Sequence, residues 1–171
     1  FISTHYRAPL ALSDESLESA KSSLATLQNT IDRVNSQLAQ ENFGDAAVDS
    51  QVFAKALDGF ESAMDNDIDI SRGLSFIFDV ASQVNSKLDE SQLTKESLME
   101  ILEFFQKIDS VLAVFTLNPL VLDSELKEML EKRLKARAAR DFKQADSLRK
   151  KIEARGVKIQ DTKDGYDIKF A

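Results

Sequence analysis

The chain has 171 residues, 43% of them apolar, with two prolines, five glycines, no cysteine, one histidine and a formal net charge of −7. That is enough apolar material for a core in one medium domain or a domain with a small appendage, and too little Pro and Gly for a collagen-like or disordered chain. Without cysteine there is no disulfide or thiolate metal site, and one histidine falls short of the four nitrogen or sulfur ligands of structural zinc.

The opening FISTHYRAPL lacks the order of a signal peptide, and no apolar run approaches the roughly 20 residues that span a bilayer. No membrane partner and a cytoplasmic location are therefore expected. The start at Phe1, inside an apolar run and without an initiator methionine, suggests a piece of something longer. His5 to Pro9 reads as a turn, since the residue before a proline is pushed out of the helical region. His5, beside Tyr6 and Arg7, is read as a structural residue rather than a general base.

Ser13 caps a long helix with Asp14 and Glu15 in its first turn, at the positive end of the macrodipole. Leu17, Leu24, Leu27, Ile31, Val34 and Leu38 keep helical spacing and predict a narrow seam facing other helices. Asn42 to Ser50, small and polar with Gly44, reads as a loop. Phe53, Leu57, Phe60 and Met64 then mark a second helix ending in the acidic run from Met64 to Asp69. An EF-hand needs glycine at its sixth position and glutamate at its twelfth. Counted from Asp65 those places hold Ile70 and Phe76, so the acids are read as capping carboxylates.

Ser71 opens a third helix with Leu74, Ile77, Phe78, Ala81, Val84 and Leu88 inward. A fourth runs from about Thr94 with Leu98, Ile101, Leu102, Phe105, Ile108, Leu112 and Phe115, and stops before Asn118-Pro119. Four such helices on short links bury their stripes against one another as an antiparallel bundle, placed at residues 1–120. From 121 to 171 a small α/β unit follows. Asp123 or Ser124 starts a helix with Leu126, Met129, Leu130 and Leu134 inward and Lys132, Lys135 and Arg137 outward, and Asp141 caps another that runs through Ala145, Leu148 and Ile152 to a Gly156 stop. VKIQD and YDIKF, separated by TKDG, alternate apolar with polar as a hairpin does. The fold class is mainly α, with a short C-terminal β-hairpin.

The net charge conceals a division. From Leu126 onward 14 Lys and Arg face 8 Asp and Glu, whereas earlier residues carry 8 against 21. A basic end on an acidic body suits approach to a polyanion, although a lysine-rich solvated helix face produces the same count. Within Arg133 to Phe170, cations, aromatics and carboxylates lie close together. Unstacked RNA bases need a flat face, edge acceptors and phosphate neutralisation together. Arg137 can fork onto phosphate or guanine. Phe142 is either core packing or a stacking platform for a splayed base. Asp146 and Asp161 are either plain surface acids or acceptors for base amino groups. No glycine-rich phosphate loop, cysteine nucleophile, nucleophile elbow or base-orienter pair is present, so the chain itself carries no catalytic residues.

Three blocks in order resemble cysteinyl-tRNA synthetases, class I aminoacyl-tRNA synthetases. HYRAPL (His5 to Leu10) is similar to the family's HYRSPL junction. FESAMDNDIDISRGL (Phe60 to Leu74) resembles its F-x-x-A-M-D-D-D-F-N-T-P-x-A-L element. RLKARAARDFKQADSLRKKIEARGVKIQDTKDGYDIKF is similar to its terminal R-x-x-A-R-x-x-K-D-[WF]-x-x-A-D-x-x-R-D-x-L-x-x-x-G-I-x-L-E-D block. Asp69, Ile70 and Ser71 replace Asn-Thr-Pro, Gly73 replaces alanine and Gln160 replaces glutamate.

The resemblance implies a bundle of the DALR anticodon-binding type followed by a small domain recognising the guanine-cytosine-adenine anticodon of cysteine tRNA. Arg137, Phe142, Asp146 and Asp161 become its anticodon contacts. The implied partner is cysteine tRNA, with no DNA, and the parent enzyme, a cysteine–tRNA ligase, is expected to be monomeric. The family's HIGH and KMSKS motifs for ATP and its zinc-bound cysteine pocket lie upstream of these blocks, so no cofactor is expected in this stretch. Two other readings keep the fold: a helical protein-interaction module, or the matching region of a synthetase-like ligase joining cysteine to a sugar amine.

Overall fold

A computed structural model describes residues 7, 13–41, 43–117, 123–161 and 166–170, with backbone alone at 167, 169 and 170. His5, the turn around it, Asn118-Pro119 and the TKDG loop lie outside the described residues. The elements are α1 (Asp14–Gln40), α2 (Ser50–Asp65), α3 (Ile70–Glu90), α4 (Lys95–Leu112), α5 (Ser124–Ala138), α6 (Phe142–Glu153), β1 (Val157–Asp161) and β2 (Tyr166–Phe170).

Capping chemistry sets most of the helix starts. Ser13 and Ser16 exchange hydrogen bonds, each backbone N–H donating to the other's hydroxyl at 3.0 and 3.1 Å. Thr94 accepts from the Ser97 N–H, and Asp123 from that of Leu126. Such caps satisfy N–H groups that no helical carbonyl can reach. Asp69 does the same for Arg72 at 3.1 Å, so α3 begins at Ile70 and Ser71 sits inside its first turn instead of opening it.

The chain divides into two compact units, one of residues 1–31 and 43–117, the other of 32–42 and 118–171. The expected division at 120/121 gives all of α1 to the bundle; in the structure the last turns of α1 go with the C-terminal elements.

In the first unit, Leu27, Ile31, Phe53, Phe60, Ile77, Val84, Leu98, Ile101, Phe104, Phe105 and Ile108 form the buried core. The rings of Phe53 and Phe104 lie 5.7 Å apart, those of Phe104 and Phe105 5.4 Å. Two features depart from the sequence reading. Leu17 and Leu24 are exposed, and burial of the α1 seam starts only at Leu27. The bonds tying α1 to this unit fall in those later turns, where Asn85 donates to the Thr30 hydroxyl and Gln28 exchanges two bonds with the Thr116 backbone. Helix α4 ends at Leu112, short of Phe115. Ala113 turns left-handed (φ 52), and the Asp109 carboxylate accepts from the Val114 and Phe115 N–H groups at 2.7 and 2.8 Å. Phe115 still packs edge-on against Phe105 at 5.7 Å.

The loop after α1 is pinned rather than loose. The Gly44 N–H donates to the Leu93 carbonyl and the Thr94 N–H to that of Ala46. A Cβ on Gly44 would clash with the Gln92 backbone carbonyl, so a side chain here would force the backbone to shift.

In the second unit, Leu126, Leu130, Ile152, Val157, Ile159 and Ile168 make the core, with Ala39, Met129 and Tyr166 packed against it. β1 and β2 pair antiparallel, with Ile159 opposite Ile168 and Asp161 opposite Tyr166. Gly156, at φ 79, makes the turn from α6 into β1. The free edge of β2 is covered by α1: the Ile168 N–H donates to the Ser36 hydroxyl at 2.8 Å and Gln40 donates to the Tyr166 carbonyl at 2.9 Å. One inward position on α5 is corrected. Leu134 is 44% exposed, while Arg133 is 2% exposed and occupies the buried stripe between Leu130 and Ala136.

Candidate nucleic-acid interface

The site is built at the corner between α5 and α6. Helix α5 closes with the Asp141 N–H donating to the Ala136 carbonyl at 2.8 Å and the Arg140 N–H to that of Arg137 at 2.9 Å. Arg140 sits between them in the left-handed region (φ 59). This is the Schellman arrangement, here without the glycine that usually occupies the position. Asp141 then caps α6 by accepting from the Gln144 N–H at 3.0 Å. The second helix therefore starts immediately, with Phe142 as its first residue.

That placement excludes the core reading of Phe142. It is 58% exposed, so it is not core, and as the first helical residue it precedes no cap and forms no staple. An aromatic face is presented to solvent at the corner, beside the basic end of α5. Asp146 lies four residues on and is exposed on α6.

Asp161 arrives from the other side. Val157 and Ile159 point into the core, and strand alternation puts Asp161 on that same inward face, at the end of β1. A carboxylate there needs a cation, and α5 supplies two at helical i, i+4 spacing. Nη2 of Arg133 donates to both Asp161 oxygens, at 2.9 and 3.0 Å, and Nη1 of Arg137 lies 3.1 Å from Oδ2. The Asp161 side chain is 26% exposed and that of Arg137 41%. Neither Nε nor Nη1 of Arg133 has a hydrogen-bond partner among the described residues. Across the hairpin, burial pushes the Tyr166 hydroxyl's pKa up, Glu131 adds to the rise and Arg133 works against it.

A third guanidinium borders the cluster from α6. Arg149 donates through Nε to Glu153 at 2.8 Å, and that bond raises its pKa, with the Asp161 and Asp146 charges adding to the rise. Of the four residues expected from sequence, Arg137 and Asp161 are thus in contact, and Asp146 has in common with Asp161 only that its charge also acts on Arg149. No hydrogen bond, ion pair or ring contact among the described residues joins Phe142 to the other three. Arg133 and Arg149 were not singled out from the sequence. The usable signal was the four-residue step from Arg133 to Arg137, which places both on one face.

The corner thus combines two surface cations, a solvent-facing ring and carboxylates of which one is already neutralised. In the first unit, residues 59–116 match the family model of the DALR domain. More particularly, the chain is related to cysteine–tRNA ligases along nearly its whole length. It is 35% identical to that of Streptococcus mutans over 165 residues, covering 96% of this chain and 33% of the relative. The Halalkalibacterium halodurans cysteine–tRNA ligase is 34% identical over 167 residues, covering 96% and 36%. That of Chlamydia abortus is 32% identical over 169 residues, covering 98% and 35%. The chain therefore spans about a third of the length of the curated relatives it matches. No helix among the described residues is long and apolar enough to cross a membrane.

Proposed function

We propose that this chain is the tRNA-binding, anticodon-recognition region of a cytoplasmic cysteine–tRNA ligase, acting on cysteine tRNA. The observation that carries the reading is the exposed ring of Phe142 at the start of α6, directly after the helix whose Arg137 already meets Asp161. A splayed base would stack on Phe142, Arg137 would meet phosphate or a guanine edge, and Asp146 and Asp161 would accept from base amino groups. Holding the anticodon arm contributes binding energy remote from the chemistry, which positions the acceptor end elsewhere on the enzyme. The chain's own residues hold neither ATP nor zinc in this account; both belong to other parts of a monomeric ligase.

The test is titration of the chain with a cysteine tRNA transcript at several salt concentrations, for wild type and Arg137→Ala. The variant should bind more weakly by about 1–3 kcal/mol and show a shallower salt dependence. Equal affinity and equal slope would overturn the reading. Binding of a protein partner in place of tRNA would favour an interaction module instead.

A further inference from the structure

We propose that Arg133 is the positioning residue of this interface: from inside the core it holds Asp161 in place, so that Arg137 is the member of the cluster that changes partner when RNA binds. The inference rests on the RNA-binding reading for its ligand, and its test separates the two.

Arg133 cannot itself touch a ligand at 2% exposure. Its only hydrogen bonds among the described residues are the two that Nη2 makes to Asp161, and its other nitrogens are buried without partners. Burying idle donors is costly, and a methionine would continue the buried stripe of Leu126, Leu130 and Ala136 along α5 without that cost. What only a cation supplies here is the grip on Asp161. The grip spans both carboxylate oxygens, whereas Arg137 reaches one of them from the half-exposed end of the helix. One carboxylate faces two guanidiniums, so Arg137 can leave while Asp161 stays neutralised. Without Arg133, Asp161 would take Arg137 as its counter-ion and hold it back from the RNA.

Three variants read this out in the whole chain: Arg133→Met, Arg133→Lys and Arg133→Met combined with Arg137→Ala, each with a thermal melt beside it. Because a single nitrogen does the holding, Arg133→Lys should keep tRNA affinity within about twofold of wild type. Arg133→Met should weaken it about tenfold, within the range that loss of one arginine contact spans. In the Arg137→Ala background the same change should add less than about twofold, since both act through one contact. A purely structural role would lower the melting temperature of Arg133→Met and leave its affinity unchanged, which overturns the inference and spares the tRNA-binding reading. If wild type binds no tRNA, that reading fails, and the guanidinium N–H exchange of Arg137 without RNA decides the positioning role. Exchange should slow in Arg133→Met, where Asp161 has Arg137 as its remaining partner in the cluster; unchanged exchange overturns the inference.

Discussion

Removing the Asp161 carboxylate should unfold this protein far more readily than an ordinary surface substitution would. In Asp161→Ala, Nη2 of Arg133 loses both its acceptors, at 2.9 and 3.0 Å, and joins two nitrogens that are already buried and have no partner among the described residues. A guanidinium that is 2% exposed is then left without a counter-ion. Breaking a buried pair in this way costs about 3–5 kcal/mol. Asp161 itself is 26% exposed, so water can enter where it stood and reach Nη2, which points to the lower end, roughly 3 kcal/mol. For a chain of this size that is a fall in Tm of about 6–12 °C. Thermal melts followed by far-UV circular dichroism would measure it. The double variant Arg133→Met with Asp161→Ala removes the stranded charge and should recover most of the loss. A single variant melting within about 2 °C of wild type, or a double variant no better than the single, would refute the reasoning.

Two further outcomes follow from local geometry. The Tyr166 hydroxyl has its pKa raised above 10.0 in the folded state, chiefly by burial. Its contribution to stability is therefore complete below the unfolded value and is lost as pH rises through the folded one, so wild type should lose stability between pH 9 and 11 faster than Tyr166→Phe, as read from the pH dependence of the Tm difference. Ala113 adopts φ 52 at the end of α4, a conformation that costs a residue with a Cβ about 1–2 kcal/mol. Ala113→Gly relieves that strain and gives back part of it as unfolded-chain entropy, so chemical denaturation should show a gain of about 0.5–1 kcal/mol. A loss would mean that the left-handed turn is not where the helix stops.

Much of the fold was legible because it rests on short-range signals. Ser13, Thr94, Asp123 and Asp141 cap the helices that follow them, and the alternation of VKIQD and YDIKF marks the paired strands. What the sequence did not disclose depends on partners distant along the chain. On α5 an apolar pattern prefers Leu134 to Arg133, and nothing nearby reverses that preference; Asp161, 28 residues later, does so by bringing a carboxylate to the inward face. Phe142 was ambiguous for a related reason. A ring at a helix start is core or surface according to how tightly the preceding helix ends, and here Arg140 takes a left-handed conformation without being glycine. Likewise the end of α4 is set by the Asp109 carboxylate folding back onto two N–H groups, a choice that helical spacing through Phe115 conceals.

The central claim is that the corner formed by α5, α6 and β1 reads an anticodon. The most direct measurement compares the affinity of the chain for a cysteine tRNA transcript with that for the same transcript carrying one changed anticodon base. Recognition through base edges predicts a loss of about 1–3 kcal/mol for the changed base, and a similar loss for Phe142→Ala on the unchanged tRNA. Equal affinity for both transcripts, with Phe142→Ala indistinguishable from wild type, would contradict it.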